Sequence, residues 1–275
     1  MLTIGRKPLL IFLGLLWGAF LNGGAVVGQG ISVSPSRIFF EGQPGETVSQ
    51  IITFGNSSAN EFNFIPAIKD WERDSVGTKI YFPVGHLEQS NGSWLSLSEN
   101  TVRLNPGETK EVTLTMTIPE QAIAPLLTHS MVFFTQVNEQ RASVQTGTIG
   151  LNVLLEVGIQ VYHNSGALSS GELEFLAFED MGNVRRGTDS VRRMPIKIKN
   201  HGDVNKDAYV RFELTNMETG EEIPLTSVAI AMLPKAEQWI NLDLPADLRG
   251  RYLAVAILDA GGQYDLKIAE KEVIY

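Results

Sequence analysis

The sequence predicts an all-β protein: two tandem immunoglobulin-like β-sandwich domains behind a signal peptide. Three observations lead there. Short β-type runs recur about every 8 to 12 residues between clusters of Gly, Pro, Asn and Ser, which is the rhythm of a sandwich. No stretch shows a long helical period with caps. The N-terminus joins a basic pair to a short apolar run, the form of an export leader.

The leader comes first. Arg6 and Lys7 precede the apolar run LLIFLGLLWGAFL at residues 9–21, and the small-residue stretch NGGAVVGQG follows. Val26 and Gly28 suit the positions before a cut, so residues 1–28 are expected to leave as a signal peptide. The run is shorter than the roughly 20 residues a membrane span needs, although a retained anchor is the other reading. No later segment is long and apolar enough to cross a bilayer. Removing 28 of the 275 residues leaves 247, and losing Arg6 and Lys7 moves the net charge from −9 to −11. That length fits two domains, expected at residues 29–163 and 167–275. An acidic chain lacks the basic patch that nucleic acid or anionic lipid requires. The chain has no cysteine, which excludes disulfide staples, thiolate zinc sites and a lipid-anchored Cys.

Along the mature chain, residues 37–40 (RIFF) lead into the turn EGQPGE, and 48–54 (VSQIITF) end at Gly55-Asn56-Ser57-Ser58. In 62–68, Phe62, Phe64, Pro66 and Ile68 share one face. In 111–118, Val112, Leu114, Met116 and Ile118 alternate strictly. Residues 131–137 (MVFFTQV) read as a buried strand. After the cluster from His163 to Ser170, read as a linker, strands resume at 173–178, 195–199, 208–214, 237–244, 252–258 and 266–274. Residues 227–235 read as a strand bent at Pro234. Each half has a strand ending in Asn before a turn, Asn56 and Asn200, a residue that bonds nearby backbone. Trp71, Phe64 and Leu114 are expected in the first core, and Val210, Phe212 and Val255 in the second.

The chemistry of catalysis is missing. His86, His129, His163 and His201 stand singly, with no H-x₃-H or HExxH spacing. Asp70, Glu72 and Asp74 form an acidic group, read as a solvated loop anchored by Trp71, without the calcium-loop pattern. There is no GxSxG, P-loop or GxGxxG. The chain is therefore expected to be no enzyme and to need neither metal nor cofactor.

The distinctive segment is residues 149–161 (IGLNVLLEVGIQV). Alternation over thirteen residues would span about 43 Å, beyond an ordinary strand. Leu151, Val153, Leu155, Val157 and Ile159 fall on one face. Two readings fit: a row of ordinary core, or a strand whose open edge takes a partner strand.

The N-terminal half resembles the PapD-like superfamily, the periplasmic chaperones of pilus assembly. The residues carrying the resemblance are SPSRIFF at 34–40, GETV at 45–48, Asn56, Asp70-Trp71, WLSLS at 94–98, NPGE at 105–108 and THSMVFFTQV at 128–137. Order and spacing agree over residues 31–162. The resemblance implies that a first-strand Arg and a last-strand Lys grip a client's C-terminal carboxylate, while alternating apolar residues fill the client's missing-strand groove. Arg37 matches the Arg, and it could equally make an ordinary edge salt bridge. The Lys has no counterpart, since Glu156 is the only charge in 149–162. It also implies a periplasmic chaperone of pilin- or adhesin-type protein clients, with Arg37, Leu151, Val153, Leu155, Val157 and Ile159 as the binding set. A surface or secreted location is the alternative, and a permanent scaffold subunit of an envelope assembly is the alternative function.

Overall fold

The computed structural model describes residues 26–28, 30–122, 127–137, 154–164, 166, 168 and 170–275. The first unit contains β1 (Val26–Gly28), β2 (Ile31–Ser34), β3 (Arg37–Glu41), β4 (Thr47–Asn56), β5 (Phe62–Arg73) and β6 (Lys79–Phe82). It continues with β7 (Leu95–Leu97), β8 (Val102–Leu104), β9 (Thr109–Thr117), β10 (Leu127–Gln136) and β11 (Glu156–Asn164). One sheet has the order β1-β2-β4-β9-β7, and the facing sheet β3-β11-β10-β5-β6, with β8 beside β5. β1 consists of residues assigned to the leader; a cut after Gly28 would take β1 and leave β2 paired with β4.

Alternation explains the packing. The expected row Val112, Leu114, Met116 and Ile118 is wholly buried and meets Ile52, Phe54, Phe62, Phe64, Val132 and Phe134 between the sheets. Each such side chain contributes roughly 1.5–3 kcal/mol by leaving water. β10 is buried on both faces from Leu127 to Phe134. Its inner face joins this core, while Leu127, Met131 and Phe133 join Trp71 and Tyr162 in a second cluster. Trp71 thus belongs to the outer face of the sheet, not to the sandwich core as expected.

Two expectations change here. Asp70–Arg73 lie in β5 rather than in a solvated loop. Asp70 is buried and accepts from Leu87 N and Ser90 Oγ, while Asp74 accepts from Val76 N and Thr78 N in the turn beyond. The last strand runs to Asn164, past the His163 expected to break it, because His163 Nε2 donates to Gly42 O at 3.1 Å inside the sandwich. Residues 149–153 of the expected long strand lie outside the described residues.

The second unit holds β12 (Leu173–Phe178), β13 (Asn183–Arg186), β14 (Asp189–Asn200), β15 (Lys206–Asn216) and β16 (Glu222–Pro224). It ends with β17 (Val228–Met232), β18 (Glu237–Pro245), β19 (Arg251–Asp259) and β20 (Lys267–Ile274). One sheet is β12-β14-β13 with β18 on β14; the other is β16-β15-β19-β20 with β17 on β15. Ile196, Ile198, Val210, Phe212 and Leu242 fill its core. Val255 does not join them. On β19 the inward face is Tyr252, Ala254, Ala256 and Leu258, so small residues face the core and the larger Val255 lies half-buried on the other side.

The two sandwiches meet along a polar and apolar seam. Trp239 N on β18 donates to Ser75 O in the β5–β6 turn at 2.7 Å. Leu233 and Leu168 pack on the Trp71 cluster. The chain entering the second unit is clamped: Lys206 Nζ donates to Gly171 O and stands 3.6 Å over the Tyr264 ring. Among the described residues, no helix is long and apolar enough to cross a membrane.

Candidate functional site

Two features of β11 create an unusual edge. β10 covers β11 along its whole length, from Thr135 opposite Glu156 to Leu127 opposite Asn164. β3 covers only part of the other side. It runs parallel to β11, beginning with Arg37 opposite Gln160 and ending with Glu41 opposite Asn164. Upstream of Gln160, residues 156–159 have no partner on that side among the described residues. The cause is the path of the chain: β2 and β3 lie in opposite sheets, so residues 35 and 36 cross the sandwich and reach β11 only at Arg37. Ser36 O accepts from Gln160 N at 3.1 Å, which closes the covered stretch.

The expected binding row divides along this strand. Val157 and Ile159 are buried in the first core, at 4% and 0% exposure, so these two are ordinary core and cannot face a client. Their side chains point inward because the pleat turns alternate residues of β11 toward the facing sheet, whatever lies along its edge. Leu155 is half-buried against the same core, and its N donates to Gln136 Oε1 at 3.1 Å. Leu151 and Val153 lie outside the described residues.

Arg37 stands where the open edge ends. Its Nη1 donates to the carboxylate of Asp207 on β15, across the seam. Burial works against the Arg37 charge, but the bond and charge of Asp207 outweigh it and the proton is held more tightly than usual. Glu156 lies four residues upstream of Gln160, about 13 Å along the strand, and its carboxylate accepts from Thr135 Oγ1 at 2.7 Å.

The cations that sequence reading missed come from other strands. Arg73, at the end of β5, lines a cleft of about 470 Å³ together with Arg37, Gly77, Asp207, Tyr209 and Gln238. Arg73 and Lys79 stand 5.6 and 5.4 Å over the Trp71 ring. Burial, then the neighbouring positive charges, push both below their ordinary values; the Tyr162 hydroxyl nearby is pushed up, chiefly by burial. Arg37 is legible because the resemblance gives a first-strand Arg a role. A cation on β5 is signalled by no local spacing.

No family model matches the chain, and no curated protein matches it. Solved structures do. The chain is similar to one in the CsuC–CsuE chaperone–tip subunit pre-assembly complex of the archaic Csu pili of Acinetobacter baumannii. There the identity is 10%, covering 87% of this chain and 97% of that one, with TM-score 0.47. It is similar to one in the complex of Salmonella enterica SafA pilin with the SafB chaperone (13% identity, 89% and 96% covered, TM-score 0.44). It is similar to the E. coli chaperone DraB as well (12% identity, 88% and 98% covered, TM-score 0.43).

Proposed function

We propose that this chain is a periplasmic chaperone-like protein that holds pilin- or adhesin-type subunits by β-strand addition. The observation that carries the reading is the edge of β11 that no described residue covers over 156–159, ending at Arg37. β3 already pairs with β11 in parallel. A client strand placed upstream would be collinear with β3 and, running the same way, would end its chain at the Arg37 guanidinium. Main-chain bonds would supply affinity, and the side chains upstream would set register. Leu151 and Val153 keep the role of filling the client's groove, and Arg37 that of meeting the terminal carboxylate. Neither task needs a catalytic group, a metal or a cofactor.

The test separates an open edge from ordinary core. Tagged full-length chain carrying Leu151→Asp with Val153→Asp is purified from envelope extract beside the parent. The expected result is an unchanged urea midpoint and loss of the co-eluting subunits. A folded double variant that still elutes with the same subunits would overturn strand addition and favour a permanent scaffold joined through another surface.

A further inference from the structure

The cleft at the seam holds more positive charge than a simple edge arginine requires, and one carboxylate already occupies it. Arg37 and Arg73 both line the cleft, and Lys79 shares the Trp71 ring with Arg73. Arg73 is incompletely used: Nη1 donates to Gly77 O at 2.6 Å, while its buried Nε meets no acceptor among the described residues. Asp207 supplies the balancing charge from the second unit, through Arg37. Its side chain remains 55% exposed and that of Arg37 30%, so water reaches the pair.

The geometry points to Asp207 as a resident counter-ion, holding Arg37 until the terminal carboxylate of an incoming chain displaces it, with Arg73 as the second cation. The inference rests on the strand-addition reading and gives that site a second cation and an internal competitor. An exposed ion pair is weak and exchanges readily with water and salt. A carboxylate delivered on a strand already pairing with β11 arrives at high effective concentration, which lets it replace one that is merely nearby. A guanidinium can donate to two carboxylate oxygens, and a second one beside it donates to the oxygen that the first leaves free. Displacement also frees Asp207 from β3, so occupancy of the edge is felt across the seam.

The experiment uses full-length protein lacking only the leader, with two probes. One is a short fluorescent peptide of alternating valine and serine, made with a free C-terminal carboxylate and as the amide. The other is phenylglyoxal, which modifies accessible guanidinium groups and is mapped by mass spectrometry. Asp207→Asn is expected to tighten the acid peptide about fivefold and leave the amide unchanged. It is also expected to speed labelling of Arg37 by about the same factor, with Arg103, paired to Glu61 far from the cleft, as the unchanged control. Arg73→Gln should weaken the acid peptide alone, and Arg73→Lys should restore part of the loss at the same urea midpoint. If the acid peptide fails to tighten, tightens together with the amide, or Arg37 labelling does not respond, the counter-ion assignment is overturned while strand addition stands. If neither peptide binds any variant, strand addition fails and the exchange fails with it.

Discussion

Asn56 and Asn200 do the same work in the two units, one residue position decided twice by the same physics. Asn56 Nδ2 donates to Asn60 O and Asn105 O at 2.7 and 2.9 Å, and its Oδ1 accepts from Ser58 N at 3.0 Å. Asn200 Nδ2 donates to Val204 O and Leu233 O at 2.8 and 3.0 Å, and its Oδ1 accepts from Gly202 N at 2.9 Å. Each ends a strand and satisfies the carbonyls of two loops at once. The buried histidines are a liability at the same scale. His129 Nε2 donates to Trp71 O at 2.9 Å while burial holds its proton affinity below the ordinary value; burial does the same to His163. The unfolded chain therefore binds more protons than the folded one once pH falls below about 6.5, so stability is full above that value and declines beneath it. The urea midpoint should drop between about pH 7.5 and 5, before most carboxylates titrate, and His129→Gln should reduce the drop. A midpoint that rises on acidification over this window would contradict the sign.

Among the strands, β11 and β20 face the edge problem differently. β20 ends its sheet with Lys267, Glu270, Lys271 and Glu272 along it, charges that discourage a stray partner. β18 has its outer edge occupied by the turn of the first unit through Ser75 O. Over residues 156–159 β11 has no cover on its β3 side among the described residues and a single charge, Glu156, which is the element-scale reason to treat it as a binding edge. The boundary between core and edge is testable along the same strand. Val157→Asp would put a charge into the first core and should unfold that unit, since an unpaired buried charge exceeds most of a domain's stability of about 5–15 kcal/mol. Val153→Asp should leave the urea midpoint in place. Equal tolerance of both substitutions would show that β11 is not packed as described.

At the scale of the whole molecule, the seam joins two sandwiches that each have their own core. Its ties among the described residues include the Arg37–Asp207 pair, the Trp239–Ser75 bond and the apolar contact of Leu233 with the Trp71 cluster. Gly77 sits at the centre with φ +87°, and a Cβ there would stand 2.3 Å from Gln238 Nε2. The left-handed backbone calls for glycine, while the Gln238 amide, at the end of a flexible side chain, would swing aside for a Cβ at small cost. Gly77→Ala should strain the turn by about 1–2 kcal/mol and loosen it from β18. Amide exchange at Trp239 should then quicken about tenfold or more while the two cores keep their protection. Unchanged exchange at Trp239 would mean that the turn does not hold the units together.

The sequence by itself determined the class of fold, because period-two alternation and turn residues act locally. Val112 to Ile118, Phe62 with Phe64 and the paired Asn positions all declare themselves within a few neighbours, whereas the strand expected over 227–235 ends at Met232 and leaves Pro234 in the turn before β18. Tertiary structure decided what lies beside each strand. Alternation in residues 149–161 is the same whether both edges are covered or one is open, and only the parallel pairing of β3 from Gln160 onward separates them. Likewise Val255 is larger than Ala254 and Ala256, yet the register of β19 turns the alanines inward. The cationic cleft was the least legible feature. Arg37 and its carboxylate partner are 170 residues apart, and Arg73 joins them from a third strand. Charge acts through space over a few ångströms, whereas the order of residues records distance along the chain. Only the folding of the two units against each other makes these residues neighbours.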